Sequence, residues 1–303
     1  IIRTLIGDLR IGVASGTIRD SIVESFFAPK SMEEKKKLME IVQKAYDKVT
    51  DLAIVFEKSS KGIKELEKIN LTPGHPLKLM LAQKAESIED GFERCGRPCA
   101  FEYKYDGFRM LINKQESGII KIFTRRLDEV TNQFPEVVEY VKNNIKAKSF
   151  ILDAEAIGFD PKSKKYKPFE AVSQRIRRKH NIDRLIKELP VEINAFDIIY
   201  LNGKELIDEP FEKRTKLLRN LIKPQKYKFR YAHQLITDNK EKAVEFYKSA
   251  LKDNQEGVMI KNLNSSYKPG LRVGHMLKFK PSENELDLII TGAEYGKGKR
   301  VGN

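Results

Sequence analysis

Apolar positions in the first seventy residues recur at helical spacing. In GTIRDSIVESFF, Ile18, Ile22 and Phe26 fall on one face, and Thr17 three residues before Asp20 predicts a capped helix start. KSMEEKKKLMEIVQKAYDKV repeats the pattern: Ser31 precedes Glu34, and Leu38, Ile41, Val42, Ala45 and Val49 form an apolar stripe. A third short helix is expected around KGIKELEKI. These stripes are packing faces. At LTPGHPLK, Pro73, Gly74 and Pro76 break any helix and mark a domain boundary. Beyond it, strand patterns dominate in AFEYKYDGFRMLIN, GIIKIFTRR, SFILDAEAIGF, EINAFDIIYLNG, EGVMIKN and HMLKFKP. Helical stretches at 132–145, 169–188 and 240–252 separate several of them. This order predicts an α+β domain with mixed sheets rather than a regular βαβ alternation.

Several of the strands carry charge that a plain sheet would lack. In a strand, Glu102, Lys104 and Asp106 share one face, with Phe101, Tyr103 and Tyr105 on the other. Asp153 and Glu155 share a face with Ile151 and Ile157, and Lys278 and Lys280 alternate with Leu277 and Phe279. Glu256 and Lys261 bracket EGVMIK, and Asp197 follows Phe196 within an apolar run. Charges inside strands are paired or functional when the strand is buried. Asp197 and Asp153 read as structural carboxylates, Asp153 at a strand end.

Composition narrows the chemistry. The 303 residues are 40% hydrophobic and 33% charged, with a formal net charge of +14, which favours an anionic partner, usually nucleic acid. Residues 161–190 hold ten Lys/Arg against three Asp/Glu, a local +7. That run reads equally as a solvated face or as a nucleic-acid contact. Cys95 and Cys99 miss metal spacing, and the four histidines are scattered, so neither a zinc site nor a disulfide framework is expected. No apolar run approaches the roughly 18 residues of a membrane span. The first residues, IIRTLIGDLRIG, are too polar for a secretory signal and open in mid-pattern, as a fragment would. GAEYGKGKR superficially resembles a phosphate loop, but its glycine spacing is one residue short. Cations for phosphates, carboxylates for Mg²⁺ and ribose, and an aromatic face for a base are all present. If Lys104 is a nucleophile, cations such as Lys278, Lys280 and Arg109 are expected near it, favouring its neutral form.

The motif series E-x-K-x-D-G, an arginine at a strand end, D-x-E, F-D-x-x-Y-L-N-G, E-G-x-M-x-K and L-K-x-K resembles the covalent nucleotidyltransferases. It is similar in particular to ATP-dependent DNA ligases of the archaeal and eukaryotic replicative type. A lone K-x-D-G is a weak sign, whereas six motifs in family order, joined by SSYKPGLR, are specific. The helical opening resembles the end of that family's DNA-binding domain. The resemblance implies three regions: 1–70 from an all-α DNA-binding domain, 71–282 an adenylation (nucleotidyltransferase) domain, and 283–303 the start of an OB-fold. That last domain carries a basic motif for the adenylation step, so a chain without it is expected to be impaired in its first reaction.

By the same resemblance, Lys104 attacks the α-phosphorus of ATP, and AMP then passes to the 5′-phosphate of a DNA nick. Glu102 binds the adenine amino group, Phe196 stacks on the base and Met259 lies near its other face. Arg109 and Glu155 hold the ribose, and Glu155 and Glu256 serve Mg²⁺. Arg125, Lys261, Lys278 and Lys280 neutralise phosphate charge. Arg175, Arg177 and Arg178 are candidate DNA contacts. Met276 stands where the family usually has Trp, Phe108 where a polar residue is common, and Arg126 where Asn is usual; these departures bear on packing, not on the catalytic groups. The expected partners are nicked double-stranded DNA, with a sliding clamp left open, in a monomer acting in replication, repair and recombination. The expected location is the cytoplasm, with the nucleoid, for an archaeal source and the nucleus for a eukaryotic one. Two alternatives stay in view. An RNA ligase or capping guanylyltransferase also uses K-x-D-G, and a non-catalytic basic scaffold would bind DNA with steep salt dependence but form no adduct.

Overall fold

The computed structural model describes residues 15–178, 180–281 and Gly292. The helical opening and the strand-rich remainder are both present among them. Helices Ser15–Phe27, Met32–Val49, Leu52–Ser60 and Ile63–Glu67 enclose a core of Ile22, Val23, Leu38, Val42, Val55 and Leu66. Ser31 caps the second helix, accepting the Glu34 N–H at 3.1 Å, while Glu34 Oε2 accepts the Lys30 N–H at 2.8 Å. Thr17 is no cap, because it lies inside the helix, which already includes Ser15. The helix Leu52–Ser60 was not marked by the apolar stripes; Asp51 caps it through the N–H groups of Ala53 and Ile54. Lys78 pairs with Asp47 at 3.0 Å and Lys48 with Glu205 at 3.0 Å, tying these helices to the residues beyond.

Two sheets follow. The strands, in chain order, are β1 (Leu81–Lys84), β2 (Cys99–Lys104), β3 (Phe108–Lys114), β4 (Ile120–Thr124), β5 (Phe150–Gly158), β6 (Val191–Leu201), β7 (Lys204–Glu205), β8 (Phe229–Tyr231), β9 (Gln234–Thr237), β10 (Gly257–Lys261) and β11 (Arg272–Phe279). One sheet has the order β1-β11-β10-β2-β9 and the other β4-β3-β5-β6-β7, with β8 paired to β6. The β1–β11 and β6–β8 pairs are parallel and the others antiparallel. The expected mixed-sheet α+β architecture is thus observed.

Helices cover the outer faces. Ile88–Cys95 and Lys240–Lys252 pack on Phe101, Tyr103, Val258, Ile260 and Leu277 of the first sheet. Pro135–Asn144, Phe169–Ile176 and Phe211–Leu221 cover Met110, Ile112, Leu152, Ala154 and Ile193 of the second. The expected helix at 169–188 is two, Phe169–Ile176 and Ile182–Glu188, with Asn181 in the left-handed region at φ 59°. By strand alternation the inner faces meet across a third cluster, Leu77, Leu79, Leu111, Phe123, Ile151, Ile199, Val273 and Met276. The inner positions beyond that apolar end are charged.

The run 101–110 is not one strand. β2 ends at Lys104 and β3 begins at Phe108 in the other sheet, so Asp106 and Gly107 form the crossing. A Cβ on Gly107 would lie 2.3 Å from the Ala156 carbonyl oxygen, so this turn requires glycine. Asp153 is mid-strand rather than at a strand end.

Asp197 is structural as expected. It is 2% exposed and holds the fully buried Arg214 through Nε at 2.8 Å and Nη2 at 3.0 Å. Removing one partner of such a pair strands the other charge in the interior. Asp197→Ala is expected to lose about 3–5 kcal/mol in a denaturant titration. Replacing Arg214 by Met in the same chain should recover part of the loss; an unchanged midpoint in the single variant would refute this role.

Candidate active site

Register places the functional side chains in rows. Across the first sheet, Glu102 pairs with Met259 and Met259 with Lys278. Across the second, Arg109 pairs with Glu155. Phe196 comes from a β-bulge: Asp153 opposes Asp197 and Ala154 opposes Ala195, leaving Phe196 as the extra residue. A bulge re-aims side chains, and here it brings the half-buried Phe196 ring to the cleft, where it packs against the cluster around Phe101, Val258 and Leu277.

The result is one cleft of about 1320 Å³ between the sheets. Glu102, Lys104, Arg109, Arg125, Glu155, Phe196, Glu256, Met259, Lys261, Lys278, Arg177 and Arg178 all line it. Lys280 stands outside this lining but joins through Glu256. Nζ of Lys104 lies 2.7 Å and Nζ of Lys280 2.6 Å from the same Glu256 oxygen. The Lys104 ammonium is thus paired with a carboxylate, and the expected cations stand beside it: Lys280 on the same oxygen and Lys278 close enough for the two charges to act on each other. The Glu256 N–H also donates to the Lys104 carbonyl at 2.9 Å, fixing the two residues together.

Glu102 and Lys261 are both almost fully buried and pair at 2.6 Å. The other Glu102 oxygen accepts from Gln234 Nε2 at 2.8 Å. The Lys261 ammonium sits 4.7 Å from the Phe196 ring centre and 4.6 Å from that of Phe211. Arg109 makes a two-pronged contact with the fully buried Asp153, with Nε to Oδ1 at 2.8 Å. Its Nη1 donates to the Met80 carbonyl at 2.8 Å, and the Tyr267 hydroxyl donates to Asp153 Oδ2 at 2.8 Å.

Burial pushes the Glu155 carboxyl up to about 8; Arg109 and Lys104 oppose that rise. Burial also acts to raise Glu256, but its hydrogen bonds from Lys104 and Lys280 prevail and hold it below the usual carboxylate range. Lys278 is pushed below the usual lysine range, first by burial and then by Lys280 and Lys104. Asp106 is raised, chiefly by burial, although its carboxylate accepts the Phe169 N–H at 3.3 Å.

Arg175 is not a DNA contact. It is fully buried, pairs with Glu136 at 2.6 Å, and donates to the carbonyls of Leu189 and Gln133 at 3.0 Å each. Its guanidinium lies 4.5 Å from the Phe134 ring centre. The helix carrying it ends at Ile176, so Arg175 occupies the inward face while Arg177 and Arg178 beyond the helix end are exposed. Asp153 holds Arg109 and Tyr267 as a structural carboxylate, as expected, whereas Tyr267 and Gln234 are residues beside the site that the pattern did not single out. Tyr267 sits within SSYKPGLR, 114 residues from Asp153, and no local periodicity marks such a partnership.

Facing sheets with a lysine at a strand end, paired carboxylates and a half-buried aromatic ring enclose a cleft whose groups suit a phosphorylated, ring-bearing ligand. The family description "ATP dependent DNA ligase domain" matches residues 79–280. The DNA ligase of Nanoarchaeum equitans is 42% identical over all of this chain, and that of Thermococcus fumicolans 38% identical over 99% of it; in each case the match covers 52% of the relative. A mycobacterial DNA ligase D solved with ATP and MES superposes with a TM-score of 0.50 at 25% identity, covering 67% of this chain and 60% of that one. The chain belongs to the ATP-dependent DNA ligase family. It spans about half the length of the curated relatives it matches.

Because the folded-state Glu155 carboxyl titrates near 8 and an unfolded one near 4.5, the folded protein holds the extra proton between those values. The Glu155 contribution is therefore favourable below about 4.5 and is lost as pH rises through about 8. Glu155→Gln should melt like wild type at pH 4.5 and several degrees higher at pH 8.5. A pH-independent difference between the two melting curves would contradict the assignment.

Proposed function

We propose that the chain is the catalytic core of an ATP-dependent DNA ligase, with Lys104 as the nucleophile. The observation that carries this reading is the convergence of Lys104, Glu102, Arg109, Glu155, Phe196, Met259 and Lys278 from two facing sheets on one cleft. The Lys104 nitrogen gives up a proton and attacks the α-phosphorus of ATP. The bond to pyrophosphate breaks, and AMP remains as a lysyl phosphoramidate. Phe196 and Met259 sandwich the adenine, whose amino group is read by Glu102. Arg109 and Glu155 orient the ribose, while Arg125, Lys261, Lys278 and Lys280 offset charge on the phosphates. Positioning and charge neutralisation supply most of the catalysis in phosphoryl transfer.

Among the described residues no group of three or more His, Cys, Asp or Glu is gathered for a metal. Glu155 and Glu256 both line the cleft, and Mg²⁺ takes one or two carboxylates together with substrate phosphates. Glu256 and Glu155 would hold it, and it would neutralise charge on the transferring group. Glu256, which pairs with Lys104 in the structure, would then be shared between the lysine and the ion.

In the whole protein, AMP passes to the 5′-phosphate of a nick and the adjacent 3′-hydroxyl displaces it. Arg177 and Arg178 lie at the cleft mouth, where they would meet the DNA backbone. Residues 1–70 belong to the DNA-binding domain, 71–282 to the adenylation domain and 283–303 to the OB-fold, whose expected start lies outside the described residues apart from Gly292. The ligase acts as a monomer on chromosomal nicks, with a sliding clamp as a further partner; in an archaeal cell its place is with the nucleoid in the cytoplasm. The test is a covalent-adduct assay on the full-length protein with α-labelled ATP and Mg²⁺. Label should attach to wild type, vanish in Lys104→Ala and be absent with GTP. An unlabelled, well-folded wild type would overturn the mechanism, and labelling by GTP alone would point to a capping activity.

A further inference from the structure

A second, smaller pocket of about 390 Å³ lies behind β2, on the face opposite Lys104. Tyr103 and Tyr105, which flank Lys104 in sequence, line this pocket as well as the first cleft. Its rim carries Lys164, Lys165, Lys226, Arg230 and Lys252, a concentration of cations that the proposed adenylation chemistry does not use. Its wall carries the rings of Tyr166 and Tyr227. Lys226 Nζ lies 5.0 Å and Lys164 Nζ 5.4 Å from the Tyr227 ring centre, so cations surround an aromatic face.

Two observations mark the pocket as built for a ligand. The first is Asn194, a fully buried side chain in its wall. Its Nδ2 donates to Glu192 Oε1 at 3.1 Å, but its Oδ1 has no hydrogen-bond partner. A buried carbonyl oxygen left without a donor is costly, and a ligand N–H would satisfy it. The second is backbone strain. Tyr227 borders the pocket with φ of 63°, in the left-handed region that a bulky side chain seldom adopts, and Lys164 lies there at 58°; Asn254, at 56°, follows a helix C-cap, where asparagine adopts it readily. Strain of this kind gathers at ligand clamps. Glu192 holds the arrangement, accepting from the Tyr166 hydroxyl at 2.9 Å and from the Tyr227 N–H.

We propose that this pocket binds a nucleotide unit, with its phosphate among the rim lysines, its ring against Tyr227 and Tyr166, and a ring amino or imino group donating to Asn194 Oδ1. The unit comes either from a free mononucleotide or from a nucleic acid strand. The pocket is also connected to Lys104. Asp253, Asn254 and Gln255 line it, and the next residue is Glu256, the partner of Lys104. Tyr103 donates to Asp253 at 3.0 Å, and the Asp106 N–H donates to Gln255 at 3.2 Å. An occupant touching 253–255 therefore acts on the segment that holds the lysine.

Photocrosslinking with peptide mapping tests the site without relying on adenylation. One arm uses 8-azido-AMP; the other uses a 5′-phosphorylated tetranucleotide bearing 5-iododeoxyuridine. Label on the peptides carrying Tyr166 or Tyr227 is expected in at least one arm, and the arm that labels identifies the source. A Lys165→Ala/Lys226→Ala variant should lose at least fivefold of that label, while Lys165→Arg/Lys226→Arg retains it. Both lysines are exposed, so the variants should melt like wild type. Absence of label from both peptides in both arms, or label unaffected by the alanine pair, would overturn the proposal.

Discussion

The structure turns on a clamp between two sheets. Arg109 and Asp153 stand on the inner face of one sheet; the Met80 carbonyl just before β1 and the Tyr267 hydroxyl just before β11 belong to the edge of the other. Asp153 is fully buried, so its charge is tolerable only because a guanidinium fork and a phenol satisfy both oxygens. Without that satisfaction the sheets would have to part to let water reach the carboxylate. Everything in the cleft is positioned relative to this joint, since Arg109 and Glu155 share its register row and Phe196 sits in the bulge that begins beside Asp153.

The rest of the cleft follows the same rule of paired charges. Glu102 holds Lys261, Glu256 holds Lys104 and Lys280, and Lys278 is left with cations around it. These pairs keep cations where phosphate charge would develop, at the cost of desolvation, and such preorganisation is what phosphoryl transfer requires. Both oxygens of Glu102 are already engaged, by Lys261 and Gln234. In the proposed reading, an adenine amino group would replace or join one of those donors, and the Glu102–Lys261 pair would be an exchange point between base and phosphate recognition.

Much of this was legible in the sequence, for physical reasons. Period-two alternation placed Glu102 and Lys104 opposite Phe101 and Tyr103, and the sheets keep that division. Motif order identified the family. The segment 240–252 formed a helix with those bounds because Asn239 caps it. What escaped were features that depend on contacts distant in sequence. Arg175 looked like its exposed neighbours in QRIRR, and only the helix orientation shows it turned inward onto Glu136. The strand run through Asp106 broke because Gly107 must pass within contact distance of Ala156. Tyr267, in the loop before β11, and Gln234, on β9, joined the site through contacts distant in sequence that no local pattern marks.

The claim that the inter-sheet clamp sets the geometry of the adenylation cleft is tested most directly by a double-mutant cycle on adenylation. The rate of lysyl-AMP formation would be measured in the full-length protein for wild type, Asp153→Asn, Tyr267→Phe and the double variant. The account predicts that each single change slows the reaction and that the double variant is little slower than Asp153→Asn, because both act through one joint. Wild-type rates in Asp153→Asn, or fully independent effects of the two changes, would contradict it.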